Sequence, residues 1–82
     1  MNSFVELDPG TIQNMFRCWD SGIDMPHKQF LEYSDGLWTC VDNRQGCFYM
    51  EAFRFIEDAL HYLKTNDTPQ SYDEDGHAVF FV

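Results

Sequence analysis

The chain has 82 residues, 17% of them aromatic, and a formal net charge of −9 from fourteen acidic and five basic side chains. That length makes one domain, and the aromatic content, with eight Phe, argues against a disordered chain. The charge excludes nucleic acid and anionic membranes as direct partners, and no apolar run approaches the length of a membrane span.

The N-terminal MNSFVELDPG lacks the basic and apolar regions of a signal peptide. Cys18, Cys40 and Cys47 make an odd count, which reads as free thiols in a reducing compartment. A soluble, cytoplasmic protein is therefore expected.

Ser3 to Leu7 reads as a short strand with Val5 and Leu7 on one side. Asp8-Pro9 predicts a helix start. Asp8 can cap free backbone N–H groups, and Pro9 suits the first helical position, where its missing N–H has no partner to lose. Ile12, Met15, Phe16 and Trp19 follow at i, i+3, i+4 and i+7, one apolar stripe of a helix, and Ser21-Gly22 closes it. After a connector through Met25-Pro26, Lys28 to Tyr33 alternates as a strand. Asp35-Gly36 is the signature of a two-residue type I′ hairpin turn. It sets Ser34 opposite Leu37, Tyr33 opposite Trp38 and Leu31 opposite Cys40.

Asn43-Arg44-Gln45-Gly46 predicts a second hairpin, a type I turn with a bulge at Gly46, pairing Asp42 with Phe48 and Cys40 with Met50. That register gathers Leu31, Tyr33, Trp38, Cys40, Phe48 and Met50 on one sheet face. Phe30, Glu32, Thr39, Val41, Tyr49 and Glu51 fall on the other. A second helix, from about Arg54 to Lys64, buries Ile56, Ala59, Leu60 and Leu63, extended by Phe53 or Phe55. Glu57 and Asp58 in its first turn and Lys64 in its last suit the helix dipole, and Glu57 and His61 are spaced for an i,i+4 pair. Gln70 to Gly76 is a polar, acidic loop. His77 to Val82 is expected to pair into the sheet, because a free apolar end of this kind would aggregate. The expected architecture is α+β: one antiparallel β-sheet of three to five strands packed with two α-helices, in a single domain spanning residues 1–82.

Chemistry is sparse. Six residues separate Cys40 from Cys47, whereas structural zinc sites pair ligands at spacings such as C-x2-C, so no metal and no cofactor is expected. No nucleophile signature surrounds any cysteine. A carboxylate pair such as Glu32 with Glu51 arises by chance among fourteen acids, and so small a domain has little room for an enclosed pocket. No catalytic residue is assigned, and the chain is expected not to be an enzyme. Arg17, Lys28, Arg44, Arg54 and Lys64 are scattered singly, with no stripe to release counterions from phosphates.

Another protein, with a basic surface, is the partner that remains. The expected contact carboxylates are Glu32, Asp35, Asp42 and Glu51 in the strands and turns, Asp67 after the second helix, and the Asp73-Glu74-Asp75 run. In a groove lined by Lys and Arg such side chains take the place of phosphates; attraction speeds docking and salt weakens it. The competing readings are plain solubility and, for Asp73 to Asp75, a solvated loop. A different function class uses the sheet face with Phe30, Val41 and Tyr49 as the interface of a small structural or regulatory subunit, a homodimer among the forms it can take, unless the first helix covers that face.

From Trp38 to Leu63 the pattern W-x-C-V-D-N-x-x-G, then E-x-F, then E-x-A-x-x-Y-L resembles small proteins of phages and mobile elements, over about a third of the chain. Size and acidity together resemble the anti-CRISPR type. That resemblance implies a small non-enzymatic inhibitor, acting in the host cytoplasm, that blocks the nucleic-acid-binding surface of a CRISPR-Cas effector. Proteins of this type share no common motif, so no functional residue is carried over.

Overall fold

The computed structural model describes residues 4–80. They form β1 (Phe4–Leu7), α1 (Thr11–Asp20), β2 (Gln29–Ser34), β3 (Leu37–Asp42), β4 (Tyr49–Phe53), α2 (Ile56–Thr65), β5 (Ser71–Tyr72) and β6 (Ala78–Val79). The fold is α+β, as the sequence predicts. The main sheet has the order β1-β2-β3-β4, and β5-β6 forms a separate two-stranded sheet.

Two corrections to the expected sheet follow from the connections. β1 pairs parallel to β2, with Leu7 opposite Glu32, so the sheet is mixed rather than antiparallel. Parallel neighbours need a crossover, and α1 supplies it by carrying the chain back to the end where β1 began. The C-terminal segment does not join the main sheet: β6 pairs only with β5. Ser3, Phe81 and Val82, the outer residues of the expected terminal strands, lie outside the described residues.

The β2–β3 hairpin is as predicted. Asp35 and Gly36 both have positive φ, 54° and 78°, the geometry a type I′ turn requires, and Ser34, Tyr33 and Leu31 oppose Leu37, Trp38 and Cys40. The β3–β4 register is one residue off the expected one: Asp42 faces Tyr49 and Cys40 faces Glu51. The Asn43–Gly46 turn does form, with the Gly46 N–H on the Asn43 carbonyl at 3.1 Å. A second tight turn then follows, in which the Tyr49 N–H reaches the Cys47 carbonyl at 3.0 Å. That turn consumes one residue and leaves Phe48 outside the strand, against the rings of Phe16 and Trp19. With period-2 alternation, a one-residue slip exchanges the faces of all of β4. Glu51 thus lies on the Cys40 face, and Met50 lies opposite it.

Each face has its own core. On one, Leu31, Cys40 and Phe53 meet Ala59, Tyr62 and Leu63 of α2, with Trp38, Ala78 and Phe80 packed around them. On the other, Phe30 and Val41 meet Ile12 of α1 and Phe48. Phe30 and Val41 are therefore buried, at 4% and 0% exposure, while Tyr49 is 58% exposed and belongs to the α2 face. Of the residues invoked for a homodimer face, Phe30 and Val41 lie under α1 and Tyr49 lies on the opposite face.

The helices also differ from expectation at their starts. α1 begins at Thr11, behind a turn closed by the Thr11 N–H on the Asp8 carbonyl, and no side chain of its own segment caps it. Its closure is a Schellman arrangement, with the Ile23 N–H on the Cys18 carbonyl and the Gly22 N–H on the Trp19 carbonyl, both at 3.0 Å. α2 starts at Ile56 rather than Arg54 and is rotated from the expected stripe. Tyr62 and Asp58 turn inward and Ile56 is 38% exposed, because the β5–β6 hairpin docks on Asp58, whose Oδ2 accepts the Ala78 N–H at 2.9 Å.

Candidate acidic interface

Three carboxylates are built into the fold. Glu32 is 7% exposed and accepts the Ile12 N–H at 2.8 Å. It is the N-terminal cap that α1 lacks locally, supplied from the sheet. Asp42, 5% exposed, accepts from the Arg44 backbone and guanidinium, from Asn66 Nδ2 at 2.6 Å and from Gln29 Nε2 at 3.3 Å. Burial pulls its pKa upward, but the hydrogen bonds and charge of Arg44, with Gln29, outweigh it and hold the carboxyl below its ordinary value. Asp58 anchors the C-terminal hairpin. Glu51 is half-buried on the α2 face, its Oε2 without a hydrogen-bond partner among the described residues. Burial, reinforced by Glu51, pushes the neighbouring Cys40 thiol up to about 12. Cys40 is thus a protonated core residue at neutral pH rather than a nucleophile.

The other acids are exposed; Glu6, opposite Leu31 in mid-sheet, belongs to neither end, and the topology sorts the rest. One end of the main sheet carries the Asp35-Gly36 turn. Asp8 lies there, just after Leu7, which pairs with Glu32. So does Glu57, because α2 starts beside Phe53, the partner of Trp38. The β5–β6 turn arrives at the same end: Asp73, Glu74, Asp75 and Gly76 line a groove of about 450 Å³ with Leu37, Ala52, Arg54 and Tyr72. This hairpin end thus gathers six exposed carboxylates, Asp8, Asp35, Glu57, Asp73, Glu74 and Asp75, against a single cation among the described residues, Arg54.

The opposite end, around the Asn43–Phe48 loop, is balanced. Lys28 precedes Gln29, which pairs with Asp42. Arg17 lies in the last turn of α1, where the Trp19 Nε1–H donates to the Gly46 carbonyl. Arg44 lies in the loop itself, and Lys64 follows Leu63, whose carbonyl accepts from Gln29. Asp20, Asp24, Asp42 and Asp67 offset these four cations, Asp24 and Asp67 lying 3.1 and 3.4 Å from His27 and His61.

Of the eight carboxylates expected at the contact, the structure brings together Asp35, Asp73, Glu74 and Asp75. Glu32 and Asp42 are buried and internally bonded, Glu51 faces α2, and Asp67 lies at the balanced end. Asp8 and Glu57 were outside that set. The sequence signal of Glu57, a first-turn acid, points only to the helix dipole, and its company at the sheet end emerges from topology. The acidic run is also shaped: Asp73 Oδ1 accepts the N–H groups of Asp75 and His77, both at 2.9 Å. The Glu74 and Asp75 carboxylates make no hydrogen bond or ion pair among the described residues and face solvent.

Among the described residues no three His, Cys, Asp or Glu side chains converge as metal ligands, and no helix is long and apolar enough to cross a membrane. Comparison with known protein families, curated proteins and solved structures gives no match to this chain.

Proposed function

We propose that this protein is a non-catalytic acidic inhibitor whose hairpin end occupies a basic surface on a partner protein, one that otherwise holds nucleic acid. The partner class is a host defence effector of the CRISPR-Cas type, reached in the host cytoplasm. One observation carries the reading: six exposed carboxylates stand against one guanidinium at one end of the molecule, while the other end is balanced. A field concentrated at one pole orients the molecule as it approaches a cationic groove and raises the association rate. Three features hold the pole in shape: the type I′ turn at Asp35, the Asp73-closed turn and the docking of the hairpin on Asp58. A preorganised acidic surface loses less entropy on binding than a flexible acidic tail would.

The test uses purified CRISPR effectors loaded with a fluorescent target duplex. Adding this protein is expected to release the duplex at low salt and to do so less well as salt rises. The triple variant D35N/E74Q/D75N preserves the turns, since Asn-Gly also favours type I′ and Asp73 is untouched. It is expected to weaken inhibition by roughly tenfold or more, equivalent to about 1.4 kcal/mol. Failure to displace the duplex from any effector defeats the inhibitor reading. Displacement that the triple variant leaves intact defeats the acidic pole as its cause.

A further inference from the structure

α2 packs over β3 and β4 and leaves part of the β1–β2 side of its sheet face open. Glu6, opposite Leu31 on that face, is exposed. Tyr33, opposite Trp38, is 50% exposed. The two rings meet across the strands with centroids 4.5 Å apart and planes 43° from parallel. Trp38 packs against the core of Leu31, Cys40 and Phe53, so Tyr33 is the outer ring. A cross-strand aromatic pair stabilises a hairpin, but that role leaves the solvent side of Tyr33 unused. Only the Ser34–Leu37 pair separates the rings from the Asp35-Gly36 turn, so they stand at the acidic end. Asp35 lies beyond them, and Asp8 follows Leu7 at the β1 edge beside β2. Glu57 lies in the first turn of α2, next to Phe53, the partner of Trp38. Arg54, the cation of this end among the described residues, is engaged elsewhere. It lines the groove beside the β5–β6 turn, its Cδ 2.8 Å from where a Cβ on Gly76 would stand.

On the footing of the inhibitor reading above, we propose that Tyr33 and Trp38 are the seat for an arginine side chain on the partner's basic surface, its guanidinium stacked on the Tyr33 ring and directed at Asp35 and the carboxylates around it. Both halves of the seat select that occupant. The carboxylates repel a nucleic acid that would stack its bases on the rings, and they repel a second copy, which brings a charge of −9. An uncharged apolar side chain would cover the ring and leave the carboxylates without a counter-charge. The exposed ring then separates arginine from lysine. A guanidinium is planar and weakly hydrated, so it lies flat on an aromatic face and still directs N–H groups to acceptors in its own plane. An ammonium is compact and strongly hydrated, and it gains chiefly from the carboxylates. Tyr, Trp and Arg are also the side chains that dominate the energy of protein interfaces, and a ring already held by its cross-strand partner loses little freedom on binding.

Two capped synthetic peptides of equal charge, Gly-Arg-Gly-Arg-Gly and Gly-Lys-Gly-Lys-Gly, provide the probe, titrated into the isotopically labelled protein by NMR at roughly 20 mM salt, where screening is weak. The Trp38 indole N–H reports on the seat. The Trp19 indole N–H, which donates to the Gly46 carbonyl at the opposite end, reports on folding. The arginine peptide is expected to bind at least about threefold tighter than the lysine peptide, shifting Tyr33, Asp35 and the Trp38 indole and leaving the Trp19 indole in place. Tyr33→Leu is expected to bring arginine binding down to the lysine level and to leave lysine binding unchanged, whereas Tyr33→Phe, which keeps the ring, retains the preference. Equal binding of the two peptides to the native chain, or a preference that survives Tyr33→Leu, overturns the seat while the acidic pole stands. If neither peptide shifts the Trp38 indole the seat also falls, and duplex displacement from an effector then judges the inhibitor reading separately.

Discussion

At the scale of single residues, the fourteen acids divide by the company they keep. Asp42 is the clearest structural case, because its acceptor sites are shared among the β3–β4 loop, β2 and the residue that closes α2, Asn66, itself at positive φ of 62°. Removing it unlinks three segments. Its main cationic partner is not stranded, since the Arg44 side chain is 52% exposed. Asp42→Ala is therefore expected to cost about 2 kcal/mol, the range for losing charge-assisted hydrogen bonds without burying an orphan charge. That is a sizeable share of the roughly 5–15 kcal/mol that holds a domain together. The pH dependence identifies the cause. A carboxyl held below its ordinary value of 3.8 adds stability that is complete above the unfolded value and is lost as pH falls through the folded one. Urea denaturation should show the same gap between native chain and variant at about pH 7 and pH 5, and a narrower gap near pH 3. A gap unchanged with pH would mean that shape rather than charge makes Asp42 matter.

Among the elements, legibility follows the range of the interaction that fixes each one. The β2–β3 hairpin is encoded locally, because Asp35-Gly36 tolerates the two positive φ values and the pairing follows. The β3–β4 register is not, since Phe48 leaves the strand to meet Phe16 and Trp19, residues more than twenty positions earlier. The candidate site divides the same way. Asp35 and the Asp73–Asp75 run are legible as turn acids, whereas the burial of Glu32 depends on Ile12 and that of Asp42 on Asn66. Glu32 also supplies the least local feature of α1. A helix with no cap from its own segment is held at its start by a carboxylate that satisfies the Ile12 N–H and complements the helix dipole. Glu32→Ala leaves that buried donor unpaired and is expected to cost about 1–3 kcal/mol, with amide exchange accelerating across the first turn of α1 before it does so in β3. Glu32→Gln keeps an acceptor and should lose less than half as much. Equal losses for the two variants would mean that the charge, rather than the bond, holds the helix.

Across the whole molecule, both helices begin at the hairpin end, Glu32 and Glu57 being set against their N-termini and Arg17 and Lys64 lying in their last turns. The dipoles thus account for part of the charge separation, but Asp35, Glu74 and Asp75 cap no helix, and Arg54 offsets only part of their mutual repulsion. The molecule is 38 Å long and the screening length at 0.1 M salt is about 10 Å, so the repulsion is confined to one pole and the balanced end does not relieve it. Salt should therefore stabilise the protein. Between about 20 and 300 mM NaCl the melting temperature is expected to rise by about 4 °C, roughly 1 kcal/mol for a domain of this size. D35N/E74Q/D75N should raise the low-salt melting temperature and flatten that slope by about half or more. D20N/D24N/D67N removes the same formal charge from the balanced end, where the carboxylates lie among cations and histidines, and should leave the slope near its original value. The two triples differ only in where the charge is taken from. If they flatten the salt response equally, the carboxylates act as a diffuse net charge with no pole, and the inhibitor reading loses the feature on which it stands.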